Sequence, residues 1–182
     1  MLIDVVREAL DAEGWSYEVV AERGACVLSV SGRSTLYRCI AAADEGLEQV
    51  AVLVVAPQRV PEATRVAVCE YLMRVNFGLR IGSFDLDFSD GEFRFRTAVD
   101  MEGGLLAPRM VQTMLGYALA TMDVYHDGVL RVAFGGAGVE AALAEARTVL
   151  AEETAAADRD EGGDEPAVDI DAIIAELEQD RE

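Results

Sequence analysis

The residues that could do chemistry in this chain are few and can be taken in turn. Asp85, Asp87 and Asp90 precede Arg94 and Arg96 in the stretch SFDLDFSDGEFRFRT, residues 83–97. Asp85-x-Asp87-x-x-Asp90-Gly91 has the look of a calcium loop, which places glycine sixth and a bidentate glutamate twelfth. Counted from Asp85, Gly91 is seventh and Arg96 is twelfth, and Phe84 to Phe88 alternates as a strand, so the loop fails. His126 is the only histidine. A metal site of several histidines cannot form, and neither can the helical two-histidine zinc motif. No G-x-S-x-G elbow accompanies His126, which reads instead as a solvent-facing histidine at a helix C-terminus, where its charge suits the dipole. All 15 basic residues are arginine, so a Schiff-base, P-loop or kinase lysine is excluded within this chain. Gly136-Ala137-Gly138-Val139-Glu140-Ala141 matches G-x-G-x-x-A after the apolar run Val129–Phe134. A dinucleotide unit needs a second strand after its helix, and here the chain turns acidic, so the glycines read as a loop between helices. No catalytic, metal or cofactor residue is selected, and the chain reads as non-enzymatic.

The elements that hold the charged cluster are more legible than any reaction. Asp90-Gly91 is a two-residue hairpin signal, since type I′ turns need φ > 0 at both central positions. That turn sets Ser89 against Glu92, Phe88 against Phe93, Asp87 against Arg94, Leu86 against Phe95 and Asp85 against Arg96. One face then carries Phe84, Leu86, Phe88, Phe93 and Phe95. The other carries the ion pairs Asp85–Arg96 and Asp87–Arg94, each worth about 0.2–1 kcal/mol. A one-residue slip would send every side chain to the wrong face. The charged face is either a solvated sheet surface or a polar platform for a partner.

Around the hairpin, periodicity predicts an amphipathic helix over 2–12 and strands near 15–20, 25–31, 35–43 and 48–56. Gln49 to Ala56 (QVAVLVVA) is apolar on both faces, which predicts a strand covered on both sides and hints at a second copy of the chain. Pro61 opens a helix that reaches about Val75, with Val66, Cys69, Leu72, Met73 and Asn76 on its stripe. A later helix begins near Pro108, with Met110, Val111, Met114, Leu115, Ala118, Met122 and Tyr125 along one side, and another covers 139–151. The expected fold is α+β: an antiparallel sheet packed by helices, in the order helix–strands–helix–hairpin–helix.

The net charge is −19 over 182 residues, with 13 acids and 2 arginines in 151–182. Such a surface repels phosphate, which argues against nucleic acid and anionic membranes as partners. Cys26, Cys39 and Cys69 form no C-x-x-C pair and read as small hydrophobes in a reducing cytoplasm. No apolar run reaches the ~18 residues of a membrane span, and the expected location is cytoplasmic. The organisation expected is a domain over 1–151, an acidic flexible linker over 152–167, and a short amphipathic helix over 168–182. Ile170, Ile173, Ile174 and Leu177 give that helix an apolar stripe that could dock, either onto a partner or back onto its own domain.

The residues from Asn76 to Tyr125 carry a family pattern. Asn76, Phe77, Leu79, Gly82, Phe84 and Asp87 are followed by Asp90-Gly91-Glu92-Phe93-Arg94-Phe95-Arg96-Thr97, and then by Thr121, Met122, Asp123 and Tyr125. This resembles the YbjN family of bacterial sensory transduction regulators over roughly residues 1–150. Asp127-Gly128 departs from the pattern expected after that last motif, which leaves 127–136 without a clear structural expectation. The resemblance implies a fold similar to type III secretion chaperones, usually homodimeric, that hold other proteins in extended form along apolar grooves. It supplies no catalytic residue.

The function expected is a non-enzymatic, chaperone-like or regulatory module that binds protein as a homodimer. Its partner would be another cytoplasmic protein or an extended peptide. The candidate contact residues are Asn76, Arg80, Asp85, Asp87, Arg94 and Arg96, with Ile170, Ile173, Ile174 and Leu177 in the tail. The alternative is a small-molecule sensor or an enzyme of another kind, with a pocket near Asn76, Arg80 and Arg96.

Overall fold

The computed structural model describes residues 1–160. Its elements run α1 (Leu2–Ala12), β1 (Glu18–Val20), β2 (Ala25–Ser31), β3 (Leu36–Asp44), β4 (Gln49–Arg59), α2 (Arg65–Gly78), β5 (Ser83–Leu86), β6 (Glu92–Asp100), α3 (Pro108–Ala133) and α4 (Val139–Asp160). The chain divides into two units, Met1–Val149 and Leu150–Glu182. Ile170, Ile173, Ile174 and Leu177 lie outside the described residues. The final helix continues to Asp160, so it takes in the first part of the span read as linker.

All six strands form one antiparallel sheet in the order β1-β2-β3-β4-β6-β5. This is the expected α+β architecture. Burial alternates along β2, β3, β4 and β6 with the two-residue period of a pleated strand. Cys26, Leu28, Cys39, Ala41, Val50, Val52, Val54, Phe93 and Phe95 point inward and join α1, α2 and α3 in one core. The opposite face is covered by no helix among the described residues. Register lays it out in rows. Asp44, Gln49 and Asp100 lie across one end; Ala42, Ala51 and Ala98 come next, then Ile40, Leu53 and Arg96, then Arg38, Val55 and Arg94. The doubly apolar β4 therefore has one side in the core and the other on an open sheet face.

Three sequence expectations change. The β5–β6 register is displaced by two residues, pairing Phe84 with Phe95, Asp85 with Arg94 and Leu86 with Phe93. A shift of two keeps the paired side chains on their faces, so the facing pattern alone cannot detect it, but Phe88, expected on the apolar face, leaves the ladder for the turn and is half exposed. The connection is not a two-residue turn. Asp87 closes a longer one: Gly91 N–H donates to the Asp87 carbonyl at 2.8 Å, and the Asp87 carboxylate accepts from Ser89 N–H and Oγ at 2.7 and 2.6 Å. Gly91 sits at φ 80° against the backbone of Val60, whose N–H donates to the Gly91 carbonyl at 2.8 Å. Both facts require glycine.

On α2 the buried side chains are Val68, Tyr71, Leu72 and Val75, not the stripe expected from Val66 and Met73. Successive residues turn by about 100° around a helix, so 66, 73 and 77 share a direction nearly opposite to 68, 71 and 75. The helix is apolar on both sides, and packing chose the side with tyrosine. Finally, α3 does not stop at Tyr125 but runs unbroken to Ala133, taking in Asp127-Gly128 and the apolar run from Val129. Gly128 faces Tyr71 so closely that any Cβ would strike its ring and hydroxyl. A helix rather than a strand precedes Gly136, which removes the dinucleotide unit.

Candidate functional site

Asp85 is the centre of the charged cluster. Its Oδ2 accepts from Arg94 Nε at 3.2 Å and from Arg96 Nε at 3.0 Å, and its Oδ1 accepts from Arg96 Nη2 at 3.4 Å. The expected Asp85–Arg96 pair is present, but as a diagonal contact. The expected Asp87–Arg94 pair is replaced by one carboxylate shared between two arginines. Asp87 is committed to its turn, and the Ser89 hydroxyl and N–H hold its carboxyl below the ordinary carboxylate range. Arg59 pairs with Glu92 at 2.8 Å and Asp90 at 3.4 Å, tying β4 to the hairpin. An open cleft of about 420 Å³ beside these residues is lined by Asp85, Leu86, Asp87, Phe88, Glu92 and Arg94.

Asn76 is not part of that cleft. From the end of α2 its side chain reaches the outer edge of β5, donating Nδ2–H to the Phe84 carbonyl at 3.0 Å and accepting Phe84 N–H on Oδ1 at 2.7 Å. One side chain thus imitates the backbone of a further strand. It occupies the edge at which another chain would add by β-pairing. Arg80 is exposed in the loop that follows. Asn76, Arg80 and Arg96 therefore do not line the hairpin cleft where the alternative reading placed a ligand.

His126 is 1 % exposed rather than solvent-facing. It lies inside α3, between an edge contact to Tyr37 and the stacked ring of Phe93. Nε2 meets Gln58 Oε1 at 3.0 Å, and Nδ1 lies 3.4 Å from an Asp127 carboxylate oxygen. Neighbouring Tyr37 donates to Asp123 at 2.9 Å, and burial, with that bond, drives its phenol pKa upward. No serine or cysteine hydrogen-bonds the imidazole among the described residues. No group of three or more His, Cys, Asp or Glu side chains could hold a metal ion there, and no helix there is long and apolar enough to cross a membrane.

The surface that sequence reasoning missed is the outer side of α2. Val66 is 74 %, Met73 61 % and Phe77 93 % exposed, and Ile81 just beyond the helix is 57 % exposed. Large apolar side chains grouped this way are unusual on a monomer and mark a contact surface. The signal was available: apolar residues fill both sides of the helix, and a core can take only one. Arg74 borders this side and pairs with Glu70 and Glu140.

The described residues form a six-stranded antiparallel sheet with helices on one face, an α+β domain. Residues 2–131 match the model of the family described as "YbjN: Putative bacterial sensory transduction regulator", and the chain belongs to that family. Among solved structures, YbjN from E. coli, described as a "putative transcription regulator", is 12 % identical, with a TM-score of 0.49 over 68 % of this chain and 92 % of that one. A chain of the HopA1-SchA chaperone–effector complex is 11 % identical, with a TM-score of 0.48 over 68 % of this chain and 91 % of that one. No curated protein matches this chain by sequence.

Proposed function

We propose that this chain is a non-enzymatic regulatory module that acts as a dimer in the bacterial cytoplasm and holds an apolar segment of another protein against the outer side of α2. The observation that carries the reading is the row Val66, Met73 and Phe77, which projects away from the core of its own domain. An apolar helix face with nothing of its own to cover is a docking surface. Membership in a family of regulators supports a role in binding rather than turnover. The net charge of −19 disfavours phosphate backbones and anionic lipid as the partner, in keeping with a protein segment. The clamp of Asn76 on β5 argues that the partner does not add as a strand at that edge.

The test has two parts. Light scattering behind size exclusion, on the full chain and on residues 1–151, should give a dimer for both; a monomer for both overturns the dimeric part. Proteins captured from the native host by the wild type should be lost by Met73→Ser/Phe77→Ser at an unchanged thermal midpoint. Equal capture by the variant overturns α2 as the binding surface. Among the candidate residues, Arg80 would border the bound segment, beside the exposed Ile81. Asp85, Arg94 and Arg96 would lie on the separate sheet face.

A further inference from the structure

We infer that the open face of the sheet is where two copies of this chain meet, packed face to face with their strands antiparallel across the interface. The inference rests on the dimeric reading above and names its surface. The argument is self-complementarity. A two-fold dimer must offer the same patch twice, so that residue i meets j while j meets i. Place a two-fold axis across the strands, between the alanine row and the row of Ile40 and Leu53. Each row then faces a definite other row of the second copy, by the register of β3, β4 and β6.

The opposed rows match in size. On β3, Ala42 falls opposite Ile40 of the second copy, and on β4, Ala51 falls opposite Leu53. Small side chains thus face large ones, as packed sheets require to interdigitate at about 10 Å. The charges match too. On β3, Asp44 falls opposite Arg38, and on β6, Asp100 falls opposite Arg94. The Arg38 side chain has no hydrogen bond or ion pair among the described residues. Arg94 and Arg96 share the single carboxylate of Asp85, so the two rows that hold Arg38, Arg94 and Arg96 keep positive charge in excess, while Arg59 beyond them is matched by Glu92 and Asp90. The far end carries Asp44 and Asp100 with no arginine in their row. An axis running along the strands instead would set acid against acid and base against base. Only the antiparallel arrangement sets Asp44 and Asp100 against arginines rather than against each other. This also accounts for a central strand that is apolar on its uncovered side.

The experiment is light scattering on the full chain across a dilution series. The wild type should show twice 19.6 kDa. Arg38→Glu places like charges opposite each other, and Ala42→Arg props the sheets apart. Both substitutions are at surface strand positions, and each should raise the dissociation constant at least tenfold. Adding Asp44→Arg to Arg38→Glu exchanges the charges and should restore the dimer. A dimer unaffected by either single variant overturns the inference and leaves the dimeric reading standing. Its weakening by Phe77→Ser would then move the interface to α2. A folded double variant that stays monomeric overturns the Arg38–Asp44 pairing. A monomeric wild type overturns both the inference and the dimeric reading.

Discussion

Asn76 shows how much one side chain can decide. Its amide makes two hydrogen bonds to Phe84, of the lengths and directions a neighbouring strand would give. Replacing it with alanine leaves the Phe84 N–H and carbonyl without these partners on a partly buried edge. At about 0.5–1.5 kcal/mol per net hydrogen bond, Asn76→Ala should cost about 1–3 kcal/mol. Asn76→Asp keeps an acceptor for the N–H but sets a carboxylate against the Phe84 carbonyl, and should be no better than alanine at neutral pH. Urea unfolding monitored by circular dichroism measures both; a loss below about 0.3 kcal/mol for either would mean that the clamp is incidental. The residue was legible in the sequence as part of a pattern, but its work was not. An asparagine at a helix end could touch a partner or cap an edge, and only the placement of β5 decides. His126 was harder still. Its polar neighbours Tyr125 and Asp127 suggest a wet helix end, whereas the periodicity of α3 carries it inward, where Gln58 from β4 meets it. A contact across 68 residues leaves no local trace.

At the scale of elements, the sequence specified faces better than registers. Alternation placed Phe84, Phe93 and Phe95 in the core and the charged side chains outside, and both survive a two-residue shift. The turn was misjudged because Asp87, read as a cross-strand partner, is instead a turn-closing acceptor. A carboxylate accepting from Ser89 O–H and N–H holds the loop in a conformation that Asp90-Gly91 alone would not choose. A similar arrangement opens α1, where the Glu45 carboxylate, from the β3–β4 turn, accepts Ile3 N–H at 3.0 Å. The backbone N–H groups of Leu2 and Ile3 hold the Glu45 carboxyl below its ordinary range. Both groups have folded-state pKa values lowered relative to the unfolded chain. Their contribution is therefore present above the unfolded values, near 4, and is lost as pH falls through the folded ones. Urea midpoints measured from pH 7 down to pH 3 should fall more steeply for the wild type than for a Glu45→Gln/Asp87→Asn variant, which holds uncharged acceptors at the same places. Identical slopes would show that neither carboxylate is bound in solution as it is here.

At the scale of the molecule, the uncovered side of β4 and the outer side of α2 are apolar surfaces left among the described residues after the core is filled, and the sequence pattern pointed to the first of them. The uncovered side of β4 could be read from a strand without polar alternation. The outer side of α2 was hidden, because a helix with apolar residues on opposite sides yields no single stripe to follow. The three thiols separate these surfaces from the core. Burial pushes the Cys39 thiol up to about 12 and raises that of Cys26 as well, and both are fully enclosed between sheet and helices. Cys69 is partly exposed on α2, a short turn from Met73. With excess Ellman's reagent at pH 8, one thiol should react promptly. The other two should react slower by a factor on the order of 10³ or more, since they open only with the domain. In urea above the unfolding midpoint all three should react alike. Because Cys26 and Cys39 point into the core, closing the outer sheet face should alter their rates only through global stability. A segment bound along α2 should slow the prompt thiol alone. Three prompt thiols in native buffer would mean that the sheet opens without global unfolding. Neither surface could then be treated as the fixed patch of a rigid domain.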